Sequence, residues 1–293
     1  MNYLSAAQAA KKWKISERSV RNYCAAGRVE GAFLTGKTWH IPENAEKPER
    51  ANKASGSGEL LRTLRAELDA GLSGGIYHKV QIELTYNSNH IEGSKLTQEQ
   101  TRFIFETSTV YAQGGVLPVD DIIETRNHFK CIDMVIREAK KPLTQALIKR
   151  LHFILKSSTA QAGRYPAGEY KKLPNTVGGL MTAPPELVEE KMRELLARYN
   201  AKEQKSLDDL IDFHCAFERI HPFQDGNGRV GRLILFKECL KYGIVPFIID
   251  EKLKPFYYRG LREWGRERGY LRETCLAAQD AFKSCLDYFR IKY

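Results

Sequence analysis

Residues 221–232 read HPFQDGNGRVGR. His221 stands four residues before Asp225, Gly226 and Gly228 flank Asn227, and Arg229 and Arg232 follow. An imidazole can take a proton near neutral pH. A carboxylate is a hard oxygen ligand of the kind that holds Mg²⁺ on a polyphosphate. Two residues without Cβ let the backbone fold tightly and approach an anion closely. Asn227 adds an amide donor, and planar guanidinium groups suit phosphate oxygens. Taken singly, each has a plainer reading: a structural histidine, a helix N-cap, a turn glycine. Taken together within twelve residues, they point to one task, which is holding a polyphosphate beside a nucleophile.

The flanking pattern explains how these groups would be positioned. Leu207, Leu210, Ile211, His214 and Phe217 share one helical face, and Val230, Leu233, Ile234 and Leu240 another. One helix therefore ends at His221, a glycine-containing loop turns, and a second helix begins. That start leaves unpaired N–H groups and a positive dipole end beside the loop. Arg229 and Arg232, three apart on the first turn, face the same side.

A second string, GAFLTGKT at 31–38, matches the phosphate-loop formula letter for letter. Such a loop must enter a helix whose free N–H groups hold the phosphates. Here Trp39, His40, Ile41 and Pro42 continue a strand pattern, so the match is coincidental. The surrounding residues predict two short helices. The first has Ser5 as N-cap and Leu4, Ala7 and Ala10 on one face; the second has Ser16 as N-cap and Gly27 as its stop. A hairpin follows, with Phe33 and Leu34 before its turn and Trp39 and Ile41 after it. This unit resembles the small winged helix-turn-helix modules of excisionase and MerR-type regulators. Arg18, Arg21 and Asn22 fall on the exposed face of its second helix and are the DNA-contact candidates. Residues 1–42 hold seven Lys/Arg against two Glu, within a net charge of +10, which favours an anionic partner such as DNA.

The 293 residues divide into a unit over 1–47, a linker over 48–58 and a helical domain over 59–293. The stretch ENAEKPERANKASGSG at 43–58 has linker composition. Later segments repeat apolar residues at helical spacing, apart from GEYKKLPNTVGGLMTAPP at 168–185, which reads as an extended flap or hairpin. Six cysteines form no C-x-x-C pair and read as reduced, mostly core thiols. With no run of about 18 apolar residues, no membrane span is expected, and neither is a signal peptide. A cytoplasmic location follows, and a homo-oligomer is left open.

The string from His221 to Arg232 resembles the signature of the Fic family at every fixed position: His221, Pro222, Phe223, Asp225, Gly226, Asn227, Gly228, Arg229 and Arg232. The resemblance spans roughly residues 60–290. It implies a mainly α protein, with a helical Fic core carrying a short β-hairpin flap beside the small N-terminal module. It further implies transfer of AMP from ATP to a Ser, Thr or Tyr hydroxyl of a target protein. His221 would be the general base and Asp225 the Mg²⁺ ligand. Gly226, Asn227 and Gly228 would form the phosphate nest, with Arg229 and Arg232 on the β- and γ-phosphates. Gly228, where phosphate-transferring relatives carry Lys, favours AMP transfer. Pro174, Asn175, Thr176 and Val177 match the flap that holds the target as an added strand. Asn175 replaces a usually apolar residue there. Tyr257 and Tyr258 stand where an aromatic pair often adjoins adenine, with core packing as the alternative. Finally, Ser88, Glu92 and Gly93 in SNHIEG resemble the family's inhibitory motif. Glu92 would pair with Arg232 and keep ATP in an unproductive pose. Two alternatives fit the same residues: a DNA-binding regulator whose Fic domain senses nucleotide, and an enzyme that removes AMP.

Overall fold

The computed structural model of the protein describes residues 2–25, 27–48, 58–111 and 116–293. The described residues form five strands and twelve α-helices. The N-terminal unit contains β1 (Tyr3–Ser5), α1 (Ala6–Trp13), α2 (Glu17–Ala25), β2 (Phe33–Thr35) and β3 (Thr38–Pro42). The helical part contains α3 (Glu59–Ala70), α4 (Ile76–Ile91), α5 (Gln98–Thr107), α6 (Val119–Arg137) and α7 (Gln145–Lys156). A two-stranded hairpin, β4 (Thr176–Val177) with β5 (Leu180–Met181), interrupts it. Then follow α8 (Val188–Asn200), α9 (Leu207–Ile220), α10 (Asn227–Tyr242), α11 (Lys254–Glu263) and α12 (Gly269–Tyr288).

In the N-terminal unit Ser5 caps α1 through a reciprocal box with Gln8. The Ser16 hydroxyl accepts from the Ser19 N–H (3.0 Å) at the start of α2. The α1 face differs from the sequence expectation. Ala6, Ala9, Ala10 and Trp13 are buried, Ala7 is exposed, and Leu4 lies in β1. The reason is that β1 pairs with β3, giving a sheet of order β1-β3-β2 and taking Leu4 into that sheet ahead of the helix. Thr38 begins the strand Thr38–Pro42 rather than a helix, so the phosphate-loop match lacks the helix N-terminus it needs. Residues 43–47 are fixed rather than loose. The Ala45 carbonyl accepts from Trp13 Nε1 (3.3 Å), and Lys47 Nζ meets Glu273 on α12 (2.8 Å). Of the expected linker, residues 49–57 lie outside the described residues.

The helical part is organised around α10. From Asn227 to Leu240 nearly every side chain of this helix is buried, so it has no solvent face at all, unlike the one-sided pattern expected. Val230, Leu233, Ile234 and Phe236 join a large apolar cluster with α3, α4, α6, α7, α8 and α9. Leu235 and Cys239 join a second one with α11 and α12. Burial of α10 on every side fixes the position of its N-terminus, which is where the candidate residues sit. The six cysteines are free thiols, five of them buried. No helix among the described residues is long and apolar enough to cross a membrane.

Candidate active site

The helix α9 ends on His221 in the left-handed conformation (φ 51°, ψ 62°), with its N–H on the Phe217 carbonyl (2.9 Å). A non-glycine residue there is held by its surroundings at a cost of about 1 kcal/mol or more. His221 Nδ1 lies 3.3 Å from the Glu218 carbonyl. A carbonyl oxygen only accepts, so Nδ1 carries the proton and Nε2 presents a lone pair. Among the described residues none bonds Nε2. Burial, with the Lys171 charge adding to it, lowers the His221 pKa below the ordinary histidine value, so the ring is neutral at neutral pH.

The loop after His221 is stapled by Asn227. Its side-chain Oδ1 accepts from the Phe223 N–H (2.8 Å) and its Nδ2 donates to the Phe223 carbonyl (2.8 Å). The amide expected to face an anion is therefore turned back into the loop and buried, and only backbone N–H groups remain for a nest. Gly226 caps α10 at φ 78°, a value that favours glycine. A Cβ at Gly228 would collide with the Glu92 carboxylate, so the bare face of this glycine is the place where an anion already sits.

That anion is locked in place. Arg232 Nη2 donates to Glu92 Oε1 (2.7 Å) and to the Ser88 carbonyl (2.9 Å), and Arg232 Nε donates to Ser88 Oγ (3.0 Å). Burial pushes the Glu92 carboxyl up, but Arg232, by charge and hydrogen bond, outweighs this and holds it below the usual range. Glu92 caps the C-terminus of α4, so the segment that carries it is built into the core through Ile76, Val80 and Leu84.

Arg229 is not free, as a phosphate contact would need. It pairs with Glu124 of α6, which also pairs with Lys156 of α7. Lys156 Nζ in turn lies 2.6 Å from Asp225 Oδ2. Burial raises the Asp225 pKa, and the charges of Arg229 and Lys156 bring it below the ordinary value. Among the described residues no group of three or more His, Cys, Asp or Glu side chains could enclose a metal ion. One half-exposed carboxylate fits Mg²⁺ carried in on phosphates, which usually keeps several waters and takes one or two protein carboxylates.

Sequence reasoning missed several supporting residues. His152 stacks on Phe223 at 3.8 Å between ring centroids. Its Nδ1 accepts from the Gly168 N–H (2.8 Å), so its Nε2 donates to the Asp225 carbonyl (3.1 Å). Burial lowers its pKa to about 4, keeping it neutral. Lys171 ties the flap to the loop. Its Nζ donates to Asn175 Oδ1 (2.7 Å), Thr182 Oγ1 (2.6 Å) and the Ile220 carbonyl (3.2 Å). Burial lowers the Lys171 pKa to about 8. Asn175 Nδ2 donates to the Phe223 carbonyl (3.1 Å), which gives the unusual asparagine a structural task. Pro174, Thr176 and Val177 are exposed along the hairpin. Glu218 is the other addition. Burial pushes its carboxyl up to about 8, with Arg232 opposing and Glu92 reinforcing. The only sequence signal for these groups was i, i+4 spacing of His152 and Lys156.

The aromatic pair is split by the structure. Tyr257 is 1% exposed and bonds His214 Nε2 (2.6 Å), so it is core and offers no face to a base. Tyr258 is 41% exposed and reaches the Ile91 carbonyl (3.4 Å) beside Glu92. Arg18, Arg21 and Asn22 are exposed on α2, some way from this site in sequence, and Arg21 is paired with Glu17.

Residues 142–238 match the Fic/DOC family. A protein adenylyltransferase Fic of Nematostella vectensis is 27% identical over 182 residues, covering 61% of this chain and 42% of the relative. One of Culex quinquefasciatus is 28% identical over 226 residues, covering 76% and 44%. The chain thus spans less than half the length of these curated relatives. Among solved structures, a Fic domain containing signaling protein of Bacteroides thetaiotaomicron superposes with a TM-score of 0.59 at 26% identity, covering 78% of this chain and 90% of that one. A Fic family protein of Desulfovibrio desulfuricans gives 0.59 at 20% identity, covering 83% and 77%, and shares the fold. The protein carries a Fic domain over residues 142–238, built on the helical fold of these relatives.

Proposed function

We propose that the chain transfers AMP from ATP to a hydroxyl side chain of a target protein, and that Glu92 restrains it. The observation that carries this reading is the pairing of two features on one loop. His221 Nε2 is an unclaimed base, and the N-terminus of α10 is a cradle in which Glu92 holds an anion's place over Gly228. In the forward reaction Nε2 takes the proton of a Ser, Thr or Tyr hydroxyl. The oxygen forms a bond to the α-phosphorus, the bond to the bridging oxygen breaks, and pyrophosphate leaves. Asp225 would hold Mg²⁺, which when bound neutralises phosphate charge. Arg232, once released by Glu92, would meet the terminal phosphate. Exposed backbone of the hairpin β4–β5 would align the target by strand addition. The relatives named protein adenylyltransferase support the same chemistry.

A charge-assisted hydrogen bond such as Arg232–Glu92 contributes about 1.5–3 kcal/mol. Its loss would raise productive occupancy by roughly one to two powers of ten. The test is incubation of the parent and a Glu92→Gly variant with α-labelled ATP and Mg²⁺. Label on protein with the variant, at least ten-fold above the parent, is expected. Silence of both would remove the transferase reading. Loss of AMP from modified protein that requires Glu92 would replace it with the reverse reaction. The same reading extends to residues 1–47 as a winged helix-turn-helix that binds DNA through Arg18, Arg21 and Asn22.

A further inference from the structure

We propose that Lys156 is the resting counter-cation of Asp225, and that a divalent ion reaches Asp225 by displacing it. This rests on the reading of Asp225 as the metal carboxylate. Lys156 is the last residue of α7, and its side chain is only 6% exposed. A lysine is rarely buried unless paired. This one has two acidic partners, Asp225 at 2.6 Å and Glu124. Glu124 is shared with Arg229, whose side chain is also 6% exposed. Two carboxylates and two cations therefore form a closed, neutral set, in which the negative charge of Asp225 is already matched.

An ammonium and a divalent ion on one carboxylate oxygen repel each other, so arrival of the second displaces the first. Glu124 makes the exchange possible. It keeps hold of Lys156 after Asp225 lets go, so the ammonium is never left buried without a partner. Asp225 has holds besides Lys156, since Arg229 Nη2 lies 3.6 Å from its Oδ2. His152 Nε2 fixes its carbonyl, and the stack of His152 on Phe223 fixes His152. Lys156 thus sets the threshold for the metal by its charge, acting through Asp225.

The sign of one measurement separates this from a merely structural role. Mn²⁺ is titrated into the full chain with saturating ADP, and free Mn²⁺ is read by electron paramagnetic resonance. All proteins carry Glu92→Gly so that the cradle is open. Lys156→Met and Lys156→Gln should bind Mn²⁺ about ten-fold more tightly, because a competing unit charge a few ångströms away is gone. Lys156→Arg should stay near the parent. A lysine that only orients Asp225 would give weaker binding on removal. Unchanged or weaker binding by Lys156→Met and Lys156→Gln, with Mn²⁺ still lost in Asp225→Asn, overturns this inference alone. If Asp225→Asn retains Mn²⁺, or the parent binds none, the reading of Asp225 falls and this inference with it.

Discussion

His221 is caught between two demands. Its backbone takes a strained left-handed turn to close α9, and its ring points one nitrogen at a carbonyl and, in the proposed reaction, leaves the other for a substrate. Burial with the nearby Lys171 charge favours the neutral ring, and a base works only when neutral. A group whose pKa lies below its ordinary value stays deprotonated to lower pH. In the Glu92→Gly variant, the acid limb of the rate should therefore have its midpoint below the ordinary histidine value of 6.5. A midpoint at or above that value, in single-turnover rates from pH 5 to 8, would show that another group titrates. The residue types of this site were legible because the chemistry needs them contiguous, from His221 to Arg232. Their partners were not. Glu124, His152, Lys156 and Lys171 lie 50 to 97 positions before His221 and meet the loop only in the folded chain. Tyr257 was open to two readings in the sequence because a buried and a base-stacking tyrosine look alike there. Only packing distinguishes them.

At the scale of elements, helix existence followed from period and caps, as at Ser5 and Ser16, whose hydroxyls accept from the N–H groups of Gln8 and Ser19. The very short β1 was missed because three residues carry no period, and its pairing with β3 reassigns the face of α1. Helix α10 could not be oriented from sequence either, since a helix buried on every side has no polar stripe. The pair α11 and α12 shows how close approach is bought with glycine. A Cβ at Gly260 would stand 2.7 Å from Leu271 Cα and Cβ, and 2.8 Å from its backbone nitrogen. Backbone cannot rotate away, so Gly260→Ala should destabilise by overpacking of about 1–3 kcal/mol. The gain in helix propensity, about 1 kcal/mol, is too small to reverse this. Gly265→Ala is the matched control, because its Cβ would meet only the mobile end of Arg219 at 3.4 Å. Denaturant midpoints of the two variants compare them directly. Equal midpoints would mean the α11–α12 contact relaxes freely.

At the scale of the whole molecule, the N-terminal unit has its own core of Ala9, Val20, Tyr23 and Ile41. It also touches the helical part, through Lys47 to Glu273 and through the Lys14 carbonyl, which lies 2.9 Å from where a Cβ of Gly269 would stand. The two contacts meet the first turns of α12. Its exposed α2 face carries Arg18 and Asn22 with Arg21, and among the described residues Arg21 is engaged by an exposed pair with Glu17, which contributes under about 1 kcal/mol. A phosphate can therefore take Arg21 from Glu17 cheaply. The proposed binding to duplex DNA through this face should weaken as salt rises, by roughly a factor of ten or more between 50 and 200 mM if two or more phosphates are neutralised. Replacing Arg18 and Arg21 with Ala should flatten that salt slope while labelling by the Glu92→Gly variant continues. A slope unchanged by the double substitution would move any DNA contact off α2, and the basic excess of residues 1–42 would then have to serve a different anionic surface.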